Sequence, residues 1–270
     1  MLIQVRKIIK EQIDNWNLIV RMAQFETKGM YQIHYLGTFW QFLNPALQVA
    51  IYYTVFGIGL RGGSDIDGVP FFAWLVLGLI PWFFIAPTMI QGSNSVHQKV
   101  NLVTKMNFPV SLLPTIRIVG NSYQFIVLLF ILFLVILLNG IFPTIYLLQL
   151  PYYLFCLYAF LFSFTILSST IATLIRDYQV LLQSMMRMLF YLSPILWNPE
   201  GERVPDWLSS ILKLNPFYYI IQGVRRSFLG GSWFFEDIIY ALYFWVLTLI
   251  LLYFGSVLHY RFKKDFVDYL

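Results

Sequence analysis

Apolar residues in the first twenty positions recur at helical spacing: Val5, Ile8, Ile9, Ile13, Trp16, Ile19 and Val20 share a face, while Lys7, Lys10, Glu11, Asp14 and Arg21 fall largely elsewhere. This pattern predicts an amphipathic helix, lying on a membrane surface or packed against protein. A cleavable signal is not expected, because acidic residues follow the first lysines and no uninterrupted apolar core precedes them. Beyond it the periodicity gives way to long apolar runs at 39–60, 71–91, 112–138, 146–175, 178–197 and 238–258. Each reaches the roughly 20 residues that a helix needs to cross a bilayer. The expected fold is therefore an all-α integral membrane protein with six transmembrane helices, which returns both termini to the same side.

Two polar interruptions stand out. Leu102 to Pro114 breaks the pattern between the second and third runs. The second interruption, 198–237, is too long for a simple connection, and its apolar pieces are too short to span. Pro205 and Asp206 suit a helix start, Asn215-Pro216 a break and Gly230-Gly231 a stop, so two short helices are expected over 205–231. Unpaired backbone is not tolerated in lipid, so they must lie at the interface or dip inward as a re-entrant hairpin. The domain organisation is then an amphipathic interface segment, 1–36, followed by one membrane domain, 37–270. Prolines 45, 81, 87, 151 and 194 predict bends within the spans, and Ser168 with Ala172 has the spacing of a close helix contact.

Composition agrees: 59% of residues are hydrophobic and only 11% charged, against about a quarter charged in soluble domains. Basic residues set the orientation. Arg6, Lys7, Lys10, Arg21, Lys28, Lys99, Lys105, Arg176, Arg261, Lys263 and Lys264 fall on the side of the termini, outweighing Arg61, Arg203, Lys213, Arg225 and Arg226 on the other. Both termini are expected in the cytoplasm of a multi-pass plasma-membrane protein. The net charge of +5 is dispersed, which argues for anionic lipid rather than nucleic acid as its partner.

Absences narrow the chemistry. Cys156 is the only cysteine, and His34, His97 and His259 stand far apart, so neither a disulfide nor a metal site is expected. There is no phosphate-binding Gly-x-x-x-x-Gly-Lys loop. No carboxylate pair lies deep in a span, which weakens a secondary transporter, and no acidic cluster suits a membrane transferase. No catalytic or cofactor-binding residue is expected in this chain. If it pumps, another subunit supplies the energy.

The charges that enter spans are candidates for contact with cargo. Arg187 lies ten positions beyond Asp177, hence about 15 Å into the apolar run, where its planar fork suits phosphate or must otherwise pair with backbone carbonyls or polar neighbours. Arg117 sits one turn into its span, close enough to snorkel to the interface or to meet a substrate at entry. Arg176-Asp177 marks a turn, either a solvated bend or a contact with a partner. Tyr31, Tyr35 and Trp40 flank the first span, where interfacial belts and sugar-stacking surfaces both use aromatic residues.

Several strings resemble a known family: Tyr35-Leu-Gly-Thr-Phe-Trp-Gln-Phe-Leu-Asn-Pro45, Leu102-Val-Thr-Lys-Met-Asn-Phe-Pro109 with Pro114, Arg176-Asp177 followed by Ser193-Pro194, and Leu214-Asn-Pro216 with Arg225. Together they resemble type-2 ABC transporter permeases that export lipid-linked polysaccharides. Asp67-Gly-Val-Pro-Phe-Phe-Ala-Trp74, Trp82-Phe-Phe84 and Ile90-Gln-Gly92 are most similar to the TarG/TagG permeases of Gram-positive wall teichoic acid exporters. The resemblance implies a half-transporter: two copies of the chain, with two cytoplasmic ATPase subunits of the TarH/TagH kind that carry the Mg-ATP. It implies a coupling helix within 95–108 that enters a groove on the ATPase, with Lys99, Leu102, Lys105, Met106 and Phe108, and Arg176 and Asp177 nearby, as its contacts. The implied cargo is a teichoic acid on undecaprenyl diphosphate, moved from the inner to the outer leaflet past Arg187 and Arg117. Export of an O-antigen or capsular polysaccharide is the alternative, since scaffold motifs do not read the polymer; a stand-alone channel or secondary transporter is the alternative from another class.

Overall fold

The amphipathic start forms two helices, α1 (Leu2–Asp14) and α2 (Trp16–Gln32), and at their junction the Asn15 side-chain amide donates to the Glu11 carbonyl at 2.9 Å. The computed structural model describes residues 2–32, 35–60, 62–99, 108–175, 177–199 and 204–263. Leu102, Lys105, Met106 and Arg176 lie outside the described residues, as does the side chain of Tyr31. The inner face of α1 and α2 buries Ile8, Gln12, Ile19 and Ala23, while Ile13, Trp16 and Phe25 remain exposed. Ile19 and Ala23 pack with Val96, Val110, Leu112, Leu113 and Ile116 in a small apolar cluster separate from the main core.

Next come α3 (Trp40–Tyr52), continued as a π-helix over Tyr53–Leu60, then α4 (Phe71–Ser93) and α5 (Leu112–Leu138). A 3-10 turn, Ile145–Gln149, leads into α6 (Leu150–Leu174). The chain then runs through α7 (Tyr178–Leu192), α8 (Asp206–Leu212), α9 (Pro216–Leu229) and α10 (Ile238–Phe262). The central element is α4, which is buried along nearly its whole length against α5, α6 and α9. Several serine and threonine hydroxyls inside the bundle donate to carbonyls of the preceding turn, as Ser163 does to Ala159 at 2.7 Å and Thr248 to Phe244 at 2.8 Å. Such local bonds keep polar atoms paired without water.

Among the described residues, five helical stretches are long and apolar enough to cross a membrane: Trp40–Leu60, Phe71–Ser93, Leu112–Leu138, Ile145–Leu174 and Ile238–Phe262. The sixth expected span, 178–197, is shorter than the apolar run suggests. Its helix, α7, stops after 15 residues, about 22 Å of rise, less than the roughly 30 Å of a hydrocarbon core. Pro194 explains the stop, since it disfavours the helical conformation at the preceding residue, and Ser193 is extended. The segment after it is buried, and α9 packs inside the bundle on α4 and α6, whereas α8 exposes Trp207 and Ile211.

Close approaches come from glycine. A Cβ on Gly255 of α10 would lie 2.9 Å from the Leu167 backbone nitrogen, so this residue lets α10 settle on α6 beside the buried Ser168 and Ala172. At Gly223 of α9 an added Cβ would fall 2.0 Å from the ring of Tyr153, itself fully buried on α6.

Candidate functional site

At the end of the bundle that carries α1, α2 and the last turns of α10, charged side chains are gathered by two glutamates. Glu26 of α2 pairs with Lys99 Nζ at 2.9 Å and Arg117 Nη1 at 3.1 Å, and Arg117 Nη2 also donates to Gln98 Oε1 at 2.9 Å. Arg117, expected to snorkel or to meet cargo, is thus held by a carboxylate from the amphipathic pair. Thr27, one residue beyond Glu26, approaches the Gly120 carbonyl of α5 at 3.4 Å.

Glu11 of α1 forms the second node. It accepts from the Ser111 hydroxyl and from Tyr260 OH at 2.8 Å, and Lys263 Nζ stands 3.7 Å away. Beside it, Gln12 Nε2 donates to the Ser111 carbonyl at 3.1 Å. Burial pushes the Glu11 carboxyl up, but the hydroxyls of Ser111 and Tyr260 and the charge of Lys263 outweigh burial and hold it below the ordinary carboxylate value. A carboxyl lowered on folding stabilises the attachment of α1 above its unfolded pKa and loses that contribution as pH falls through the folded value. Acidification below the ordinary carboxylate range is therefore expected to lower the protection of α1 amides, measured as exchange relative to the intrinsic rate at the same pH. In Glu11→Gln the protection of α1 should be reduced already at neutral pH and should change far less with acid.

Of the expected partner contacts, Lys99 is engaged by Glu26, Phe108 packs against the apolar cluster with Ile19 and Ile116, and Asp177 is exposed at the start of α7.

The second feature is a cleft of about 360 Å³ between α3, α4 and α7. It is lined by Gln48 and Tyr52 of α3, Trp82, Ala86 and Ile90 of α4, and Gln183, Met186, Arg187, Phe190 and Tyr191 of α7. Arg187 is exposed and donates to Ser184 Oγ, one turn back on α7, at 3.3 Å. No carboxylate among the described residues is within ion-pair distance of it. A guanidinium without a counter-ion among aromatic rings can bind a phosphate and stack against a sugar or lipid. Neither Tyr35, which is fully exposed, nor Trp40 lines this cleft. Tyr52 and Trp82 do, and Phe190 packs against both rings, at 5.2 and 5.7 Å between centroids. A readable signal existed: Gln183, Arg187 and Tyr191 at four-residue intervals, and Gln48 with Tyr52, form polar and aromatic stripes on otherwise apolar helices.

The ends of α7 are fixed on both sides of this cleft. Near its start Gln179 Nε2 donates to the Ile90 carbonyl at 2.9 Å, and Gln179 Oε1 accepts from Ser93 Oγ at 2.7 Å. Beyond its end, Asn215 caps α9 and donates to Ser193 Oγ at 2.9 Å. Arg225 of α9, buried to 3% exposure, lies 3.4 Å from the centre of the Trp74 ring and donates to the carbonyls of Trp74 and Ile195 at 3.3 and 3.4 Å. Gly78 provides its room, since a Cβ there would lie 2.6 Å from Nη2. Carbonyl dipoles and a π-face thus meet Nε and Nη2 of this cation, while Nη1 is buried without a hydrogen-bond partner among the described residues.

Among the described residues no cluster of histidine, cysteine or acidic side chains could hold a metal ion. Comparison with known proteins agrees with the helical membrane architecture. The chain is 26% identical over 222 residues to an O-antigen export system permease protein RfbA of Myxococcus xanthus, covering 82% of this chain and 84% of that protein. It is 26% identical over 252 residues to a protein of the same description from Klebsiella pneumoniae, covering 92% and 95%. Residues 17–229 match the family described as ABC-2 type transporter, which takes in α2 through α9 and the greater part of both features above, and the chain belongs to that family.

Proposed function

We propose that this chain is the membrane subunit of an ATP-driven exporter of a lipid-linked polysaccharide, working as a pair of copies with two ATPase subunits at the end where the termini lie. The cleft holding Arg187 among Tyr52, Trp82 and Tyr191 carries this reading. An anionic lipid-linked glycan presents phosphate to the guanidinium and sugar or prenyl faces to the rings, while its tail stays in hydrocarbon beside the exposed apolar side of α7. The ATPase is the source of energy, with Mg-ATP bound there and no nucleotide site in this chain. The two relatives, exporters of O-antigen by name, favour an O-antigen-type cargo over teichoic acid. The teichoic acid reading rests on the Asp67–Trp74, Trp82–Phe84 and Ile90–Gly92 strings alone.

Copurification of the chain with the products of neighbouring genes is expected to bring down an ATPase, and light scattering on the complex should give two copies of each. In proteoliposomes the complex should move an undecaprenyl-diphosphate-linked O-antigen-type glycan in preference to a teichoic acid on the same lipid. Transport that continues without ATP, or a chain that brings down no ATPase, supports a carrier or channel working alone. Preference for teichoic acid would keep the mechanism and reverse the cargo.

A further inference from the structure

We propose that the crevice between α2, α5 and α6 is a binding site for one diacyl glycerolipid of the bilayer, with a fatty-acyl chain lying along α5 and an ester carbonyl accepting from the Thr115 hydroxyl. The site does not depend on the cargo or on the transport reading.

The crevice has a volume of about 420 Å³, and its apolar walls are Trp16 and Val20 of α2, Ile118, Val119 and Ile126 of α5, and Phe162 of α6. α2 packs directly on α5, and the crevice lies between it and α6. Along α5 it runs from Thr115 to Ile126, about 16 Å of helical rise, close to half of a roughly 30 Å hydrocarbon core. Thr115 lies at the end of the bundle that carries the termini, and Ile126, 61% exposed, opens the far end to the surroundings. A groove as long as one leaflet is deep has the shape for a single extended chain.

The polar groups on its wall decide which lipid fits. Tyr158 and Ser122 satisfy each other: Tyr158 OH donates to Ser122 Oγ at 2.9 Å, and Ser122 donates to the Ile118 carbonyl at 2.7 Å. Thr115 differs. The residue is 8% exposed, and its hydroxyl has no hydrogen-bond partner among the described residues. The carbonyl four residues back, which a helical threonine ordinarily uses, belongs to Ser111 and already accepts from Gln12 Nε2 at 3.1 Å. Threonine in a helix divides between two χ1 rotamers, so the hydroxyl can exchange places with the methyl without any change of backbone.

A glycerolipid presents ester carbonyls, which only accept, at the level where its chains enter hydrocarbon. It therefore supplies the partner that Thr115 lacks. A prenyl diphosphate has no carbonyl at that level and brings two phosphates, for which the crevice wall holds no basic side chain. The acyl chain fills the gap between the amphipathic pair and α6.

The test uses the full chain in nanodiscs made either of ester-linked or of ether-linked phosphatidylcholine. Each carries a trace of ester-linked phosphatidylcholine with a photoactivatable diazirine in one acyl chain, and labelled peptides are mapped by mass spectrometry. Labelling should concentrate on residues 118–126 and 158–162, above that of the exposed Leu242 and Leu249 of α10. In ether discs the crevice should be labelled about two- to tenfold more than in ester discs, the equivalent of one neutral hydrogen bond, with α10 unchanged. Thr115→Val should label the crevice equally in both discs. Val119→Trp, which fills the crevice, should lower labelling there severalfold and leave α10 as it was; should that variant fail to assemble, the two discs with wild type and Thr115→Val decide. Undecaprenyl diphosphate added at the mole fraction of the probe should displace nothing. Labelling spread evenly over α5, α6 and α10, equal labelling of the wild type in both discs, or a difference between discs that survives in Thr115→Val would each overturn the site. Displacement by undecaprenyl diphosphate would overturn it too, by giving the crevice to a prenyl lipid.

Discussion

Gly223→Ala is expected to cause the largest loss of stability of any single methyl added to this bundle. The new Cβ would fall 2.0 Å from the Tyr153 ring, and Tyr153 is fully buried on α6, with Tyr152 and Tyr219 packed around it. Neither the ring nor the helix can yield without disturbing that aromatic stack, so the overpacking should cost about 3 kcal/mol, the upper end of the usual range. Thermal unfolding of the purified protein in detergent should show the drop, and the smaller side chain in Gly223→Ala with Tyr153→Leu should recover part of it. Tyr153→Phe with Gly223→Ala should recover nothing, because the clash is with the ring and not the hydroxyl. A Gly223→Ala protein as stable as the wild type would mean that α9 does not sit on α6 as described.

Arg187→Gln is expected to reduce export of an anionic lipid-linked glycan by about ten- to a hundredfold, the equivalent of one charge-assisted hydrogen bond worth roughly 1.5–3 kcal/mol. The side chain lies at the surface of the cleft, so its removal leaves no buried atom unpaired and assembly should survive. Arg187→Lys should fall between the two, because an ammonium keeps the charge and loses the planar fork. Export and glycan-stimulated ATP hydrolysis in proteoliposomes are the measurements. Full export and full stimulation in Arg187→Gln would remove phosphate contact from the role of this residue and leave the cleft to its aromatic rings.

Expectation and structure diverge most clearly at α7. The apolar run 178–197 has the length of a span, and composition alone makes it one; the backbone at Ser193-Pro194 ends the helix after Leu192. Length of an apolar run measures how much surface must leave water, while helix length depends on local backbone chemistry, and the two part company where a proline intervenes. At the charged end, Lys99 and Arg117 were visible as cations in a suggestive place. Their shared partner was not, because Glu26 lies some 73 residues from Lys99 and reads as one more polar position on an amphipathic helix. The same holds for Arg225, a residue whose burial depends on a carbonyl of α4, a carbonyl beyond α7 and the missing side chain of Gly78.

What the sequence determined by itself was the medium and the framework: apolar runs that must be helical because lipid offers no partner to an unpaired backbone, and an amphipathic preface whose two faces need two environments. It also placed an arginine deep in an apolar run, where a charge demands an explanation. What only the tertiary structure decided was which side chains share a space. Tyr52, Trp82 and Arg187 come from three helices, and Glu11 meets Ser111 and Tyr260 across separations of 100 and 249 residues. Periodicity along one helix gives the direction in which a side chain points and carries no information about the helix it will face, since that is settled by how the ridges, glycines and breaks of all the helices pack at once.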